Sequence, residues 1–332
     1  MVFDKFDFQE EKAVEEIKKR NAKLVLVQLP EGLKQEAVRI ANLLEKEADC
    51  TVIVSGDSCW GACDVSIDDA RNLKVDLIVH FGHAQFIKID YPIVYIEIQD
   101  KTDLKPLLKR SLKFLKTYTK IGLVGSVQHL QKFPEVTKFL EDNKKNIFVP
   151  EKKGFAAYDG HVVGCEYNSL KLIQDKVDCF LVIGNQFHSL GAAMSVTKPV
   201  FLIDVYNGEV VDMDKLKNKV IKQRFAAIER IKTAKNIGII VGTKPGQRFG
   251  NFKVIIEKFR KLNKNVIVIT MNEMTPDKLM NFYNIEGFIE LACPRIAVED
   301  YGKYNKPIIT FRESLVVLNE MKWEDLIEKG FL

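Results

Sequence analysis

The chain has 332 residues, of which 46% are hydrophobic and 29% charged, the profile of a soluble globular protein with material for two or three cores. Its net charge of +5 is mild, and the lysines are spread over helix-like segments such as "EIKKRNAK", "LEDNKKN" and "IEKFRKLNKN"; these read as solvated helix faces, so no direct nucleic-acid contact is expected. No segment approaches about 18 consecutive apolar residues and the opening "MVFDKFDFQEEKAVEEIKKR" has no signal-peptide pattern, which together predict a cytoplasmic protein with no membrane partner.

In chain order, that opening predicts a charge-mixed helix, and "KLVLVQLPEGL" from Lys23 predicts a buried strand ending in a loop before a helix. "CTVIV" follows, leading into the loop "SGDSCWGACDVS"; then come "VDLIVHFGHAQF" from Val75 and the proline-led strand "YPIVYIEI". The same order recurs from Lys120 with "KIGLVGSVQHL", then "GHVVGCEYN", "VDCFLVIGNQFHSLGAA" and "KPVFLIDV". It recurs again from Asn236 with "NIGIIVGTKPGQ", "IEGFIELACPRIAVED" and "KPIITFRE". Pro92, Pro199 and Pro307 mark strand entries, a position where the missing N–H is tolerated. The closing "NEMKWEDLIEKGFL" predicts an amphipathic helix packed outside the third unit or at a subunit interface.

Short β-branched runs alternating with amphipathic helices predict an α/β fold with parallel strands, and the recurring order predicts a triplication. We expect three pseudo-symmetric parallel-sheet domains over residues 1–112, 113–225 and 226–332, arranged around a central site. In such units, function sits on loops at the carboxyl ends of the strands.

Of six cysteines, Cys50 and Cys179 lie in strand-like runs and read as buried hydrophobes. Cys59, Cys63, Cys165 and Cys293 all lie in strand-end loops, so every repeat offers at least one thiol to a common centre. Three thiolates suit a 4Fe-4S cluster with one iron left open, whereas a zinc site would ordinarily recruit a histidine or water as well. Cys59 and Cys63 begin the CxxxCxxC motif of conventional radical S-adenosylmethionine enzymes, but Ser66 stands at its third position; the spacing is also wrong for a thioredoxin-type pair.

"GDSCWGACD", the "GC" of "GHVVGCEYN", "CPR" in "ELACPRIAVED" and "GQRFGN" together resemble the archaeal diphthamide biosynthesis enzymes, the 2-(3-amino-3-carboxypropyl)histidine synthases, over nearly the whole chain. The resemblance implies a homodimer in which Cys59, Cys165 and Cys293 hold the 4Fe-4S cluster and Cys63 is not a ligand. It implies noncanonical use of S-adenosylmethionine as cosubstrate: the bond from sulfur to the methionine γ-carbon is cleaved, and a 3-amino-3-carboxypropyl group of radical character goes to carbon 2 of a histidine in translation elongation factor 2. The electron donor is unspecified.

For the cosubstrate's carboxylate and amine, the strand-end loops offer Gln247, Arg248, Arg295 and the stretch from Ser126 to His129 at a helix N-terminus. His83 and His188 occupy equivalent positions in the first two units, as substrate contacts or loop hydrogen bonders; Glu31 reads as a cap or a ligand contact, and Asp57 and Ser58 as loop supports. Two other readings remain open: a quinolinate-synthase-like enzyme using its open iron as a Lewis acid, and a noncatalytic iron-sulfur module, for which Cys63 would be the fourth ligand.

Overall fold

Val, Ile and Leu dominate the predicted strands, and in the computed structural model, which describes residues 5–332, these runs form three separate parallel sheets. The first unit runs β1 (Phe6–Asp7), α1 (Glu10–Arg20), β2 (Leu24–Gln28), α2 (Ala37–Ala48), β3 (Thr51–Val54), α3 (Ile67–Leu73), β4 (Leu77–Phe81), β5 (Ile93–Ile96) and β6 (Gln99–Asp100). Its parallel sheet has the order β3-β2-β4-β5, while β1 and β6 form a separate antiparallel pair.

The second unit continues with α4 (Lys105–Phe114), β7 (Lys120–Gly125), α5 (Phe133–Asp142), β8 (Asn146–Phe148), α6 (Asn168–Ile173), β9 (Cys179–Gly184), α7 (Gln186–Ser195), β10 (Val200–Asp204) and β11 (Glu209–Asp212). Its order is β8-β7-β9-β10-β11. The third has α8 (Asp214–Thr233), β12 (Asn236–Gly242), α9 (Phe252–Lys261), β13 (Asn265–Met271), α10 (Pro276–Met280), β14 (Gly287–Glu290), α11 (Pro294–Val298), β15 (Ile308–Thr310), α12 (Phe311–Val317) and α13 (Trp323–Lys329), with order β13-β12-β14-β15.

In all three sheets the second strand lies outside the first, and the third and fourth follow on the other side. Strands β4, β9 and β10 are buried along their whole length, which explains their unbroken apolar sequence: helices cover both faces. Helices supply matching stripes, Ile40, Leu44 and Ala48 on α2 and Phe133, Val136 and Leu140 on α5, at spacings that keep one face inward.

The second sheet departs from the expected all-parallel order. After β10 the chain turns through Gly208 at φ +68° and returns as β11, antiparallel to β10 from Phe201↔Asp212 to Asp204↔Glu209. A chain cut at residue 112 or 225 falls inside α4 or α8. Helix α4 packs on β10 and β11 and so sits with the second sheet, while α8 touches α7 on one side and α12, β14 and β15 on the other. Within α8, the fully buried Arg224 guanidinium is satisfied by both Glu313 carboxylate oxygens (2.7 and 2.6 Å) and by the Ala297 and Ile308 carbonyls (2.6 Å each). Complete pairing is what permits a charge there.

The terminal helix α13 packs on α12 and is followed by a segment that crosses to the second unit. Phe331 N–H donates to the Met194 carbonyl (2.9 Å), and the Trp323 ring meets Phe225 and Phe331 edge-on. No helix among the described residues is long and apolar enough to cross a membrane.

Candidate active site

The three sheets direct the loops after their strands at one cavity of about 610 Å³. From the first unit it receives Pro30 after β2, Cys63 after β3 and His83 after β4. The second contributes Ser126 and Gln128 after β7, His161 and Cys165 after β8, Asn185 and His188 after β9, and Tyr206 after β10. Gln247 after β12, with Cys293 and Arg295 after β14, completes the wall from the third unit.

One thiol from each unit therefore faces the same space, and in the first unit that thiol is Cys63. Cys59 does not line the cavity. It is 2% exposed and packs instead against His80 and His83. The two cysteines diverge because the chain turns between them: Asp64 N–H donates to the Gly61 carbonyl (2.9 Å), closing a tight turn over residues 61–64.

The third unit then fixes Cys63 from outside. Gly246 N–H donates to the Cys63 carbonyl (2.8 Å), and Gln247 Nε2 lies 3.5 Å from Cys63 Sγ as a donor to sulfur. Only glycine fits at 246, since a Cβ there would lie 2.7 Å from Cys63 Cα, a backbone atom that cannot swing away. Gly246→Ala should cost about 1–3 kcal/mol through this overpacking, read as a lower denaturant midpoint with an unchanged slope.

Burial pushes all three cavity thiols upward. Cys63 is raised by desolvation, with the Gln247 donor opposing it. Cys165 rises well above the ordinary range through burial and then through Cys293 and Cys63; Cys293 is pushed up to about 12 by burial and then by Cys63 and Glu290. Thiols so desolvated stay protonated until a cation replaces the protons. The histidines are neutral for the same reason: burial takes His83 and His161 down to about 4 and His188 to about 3, where Arg295 adds to the effect.

Arg295 is the cationic group of the wall. Its guanidinium carbon sits 3.2 Å from the centre of the Phe187 ring, and Phe187 in turn covers Gly164, where φ is +85° and any Cβ would collide with that ring. One Arg295 nitrogen reaches Glu299 at 3.3 Å, while Nε is buried without a partner, a donor aimed at nothing in the protein.

Of the residues expected to grip a cosubstrate, Ser126, Gln247 and Arg295 line the cavity with the cysteines, and Arg248 and His129 do not. Arg248 is exposed and borders a separate surface groove with Asp57 and Lys244, whereas Gln247 beside it closes a turn on the Lys244 carbonyl (3.3 Å) and faces Cys63. His129 is fully buried behind its loop, its ring 6.4 Å from Tyr206. Glu31 accepts from Cys59 N–H (3.1 Å) and Ser58 Oγ bonds Glu273 (2.5 Å), so both support the loop. His161, Phe187 and Tyr206 carry no sequence signal of their own. They enter because their loops follow the same strand ends.

The family model of diphthamide synthesis proteins matches residues 29–327. The 2-(3-amino-3-carboxypropyl)histidine synthase of Pyrococcus horikoshii is 31% identical over 309 residues, covering 92% of this chain and 88% of that one. Subunit 1 of the Saccharomyces cerevisiae synthase is 30% identical, covering 95% and 75%. The crystal structure of Dph2 from Pyrococcus horikoshii with a 4Fe-4S cluster superposes with a TM-score of 0.87 at 28% identity, over 98% of this chain and 94% of that one. From the extent of these matches and from the shared architecture, the chain belongs to the family of diphthamide synthesis proteins.

Proposed function

We propose that this protein transfers the 3-amino-3-carboxypropyl group of S-adenosylmethionine to carbon 2 of a histidine imidazole in translation elongation factor 2, the first step of diphthamide biosynthesis. The observation that carries the reading is the cavity in which one cysteine per unit, Cys63, Cys165 and Cys293, faces a common space. These three would hold a 4Fe-4S cluster. This ligand set replaces Cys59 by Cys63 on the geometry of the loop.

The donor set fits such a group. The three sulfurs are not among the residues whose ligand atoms lie within 4.8 Å of one another, whereas thiolates on a single tetrahedral zinc would stand about 3.8 Å apart. Three soft thiol donors, one from each unit on one cavity, are the set that a cluster bound at three corners takes. When bound, the cluster supplies the electron that reduces the sulfonium and breaks its bond to the methionine γ-carbon.

The chain's own residues bind and orient. The Arg295 guanidinium, which lines the cavity, suits the methionine carboxylate, held at a fixed angle by its stacking on Phe187. Ser126, at the turn after β7, offers its hydroxyl within the same wall, and Gln247 donates to Cys63 Sγ, favouring the thiolate. Neutral His161 and His188 add no charge beside the sulfonium. Phe86, Phe187, Val162 and Ile98 line the remainder and keep water from a reactive carbon-centred group. The reading includes a homodimer, to be checked by mass in solution.

The decisive experiment incubates the anaerobically reconstituted, chemically reduced protein with S-adenosylmethionine and elongation factor 2. One histidine of the factor should gain a single aminocarboxypropyl group, with methylthioadenosine released in equal amount. A reduced, cluster-loaded protein that releases no methylthioadenosine would overturn the proposal and favour Lewis-acid use of the open iron.

A further inference from the structure

Cys59 is left over by the cavity, and its surroundings are those of a ligand. Its Sγ and one ring nitrogen each of His80 and His83 lie within 4.8 Å of one another, the one such three-residue group among the described residues. Cys59 and His80 are buried, and His83 is partly open.

The hydrogen bonds around Gln28 assign the tautomer. Gln28 Nε2 donates to the Asp64 carbonyl (2.7 Å) and to Ser66 Oγ (2.9 Å), which leaves Oε1 as an acceptor. It accepts from Ser66 N–H (3.3 Å) and lies 2.9 Å from His80 Nδ1, so Nδ1 carries the His80 proton. His80 Nε2 therefore presents a bare lone pair, and His83 Nδ1 stands 3.0 Å from it. Two nitrogens on one tetrahedral zinc ion stand about 3.3 Å apart, given Zn–N bonds of 2.0–2.1 Å. Little movement is needed to exchange the shared proton for an ion. A ligating imidazole whose second nitrogen donates to a side-chain oxygen is also the usual outer-shell arrangement at metal sites.

We propose that Cys59, His80 and His83 form a second metal site, taking a single zinc-type divalent cation, beside the three-thiol cavity and independent of it. One thiolate and two imidazoles match a borderline-soft ion in tetrahedral geometry. His83 lines the cavity, which provides the entry path and leaves the fourth position to water. Binding exchanges the Cys59 thiol proton for the ion and ties the loop after β3 to the end of β4. Cys63 keeps its own seat, fixed from the third unit by Gly246 N–H and Gln247 Nε2, so the cavity does not depend on this brace.

The test uses the full-length chain carrying Cys63→Ser, Cys165→Ser and Cys293→Ser, titrated with Co²⁺ and then Zn²⁺. One equivalent of Co²⁺ should bind with a thiolate-to-cobalt charge-transfer band that Zn²⁺ abolishes. Adding Cys59→Ser should remove the band, and His83→Gln should weaken binding at least about tenfold. Absence of the band, or its survival after Cys59→Ser, overturns the site. A second measurement covers the case in which the triple variant does not fold: metal content of the reconstituted parent protein should show zinc besides iron, with Cys59→Ser losing zinc and keeping iron. Loss of iron instead would overturn the site and return Cys59 to the cluster ligands.

Discussion

Cys63→Ser is expected to abolish cluster incorporation, as are Cys165→Ser and Cys293→Ser, while Cys59→Ser reconstitutes to the parent's iron and sulfide content. The contrast is large because the two cysteines of one loop are committed to different surroundings. Cys63 is clamped from the third unit by Gly246 N–H on its carbonyl and Gln247 Nε2 near its sulfur, and it shares a cavity with Cys165 and Cys293. Cys59 is 2% exposed and turned toward the end of β4. Serine is nearly isosteric with cysteine, so the loop keeps its shape and lost iron reports lost ligation. Iron and sulfide analysis with the visible spectrum measures it. Iron lost from Cys59→Ser and retained by Cys63→Ser would sink the assignment.

The α/β fold was legible because its signal is local. Unbroken β-branched runs mark doubly covered strands, proline marks their entries, and both recur in one order three times. The short antiparallel returns were not legible. Strand β11 is the four-residue "EVVD", half exposed and of no distinctive periodicity, and β1 pairs with β6 through two residues on each side. The cavity was legible as a set of loops and not as a set of side chains. Cys165, Cys293, Ser126, Gln247 and Arg295 face it as a strand-end argument requires. Choosing Cys63 over Cys59 depends on a turn at Gly61 and on contact with Gly246 far along the chain, neither of which any local pattern encodes. Gln247 and Arg248 illustrate the same limit, since these adjacent residues border different cavities and only the packing decides which faces in.

Lys244→Met is expected to destabilise the protein by about 3 kcal/mol near neutral pH, with the deficit shrinking in acid. Lys244 Nζ lies 2.5 Å from Asp64 Oδ2, 2.8 Å from Glu273 Oε2 and 3.2 Å from Ser58 Oγ, so its three donors join the cysteine loop of the first unit to the loop after β13 in the third. The Lys244 and Asp64 side chains are 6% and 8% exposed, and Asp64 adjoins Cys63 in the chain. Burial already raises Asp64 above its ordinary 3.8, with Lys244 opposing the rise. Without the lysine that opposition vanishes while the burial remains. The native variant then holds a proton on Asp64 at pH values where the unfolded chain has released it, so its stability falls as pH rises from about 4 through the raised native value. Glu273, 31% exposed, relaxes toward water and adds less. Denaturant midpoints for parent and variant at about pH 5 and about pH 8 give the comparison, and the gap should be wider at the higher pH. Asp64→Asn added to Lys244→Met removes the orphaned charge and should flatten that dependence. A gap equal at both pH values would mean that Lys244 acts by packing its stem, with the buried charge of Asp64 playing no part.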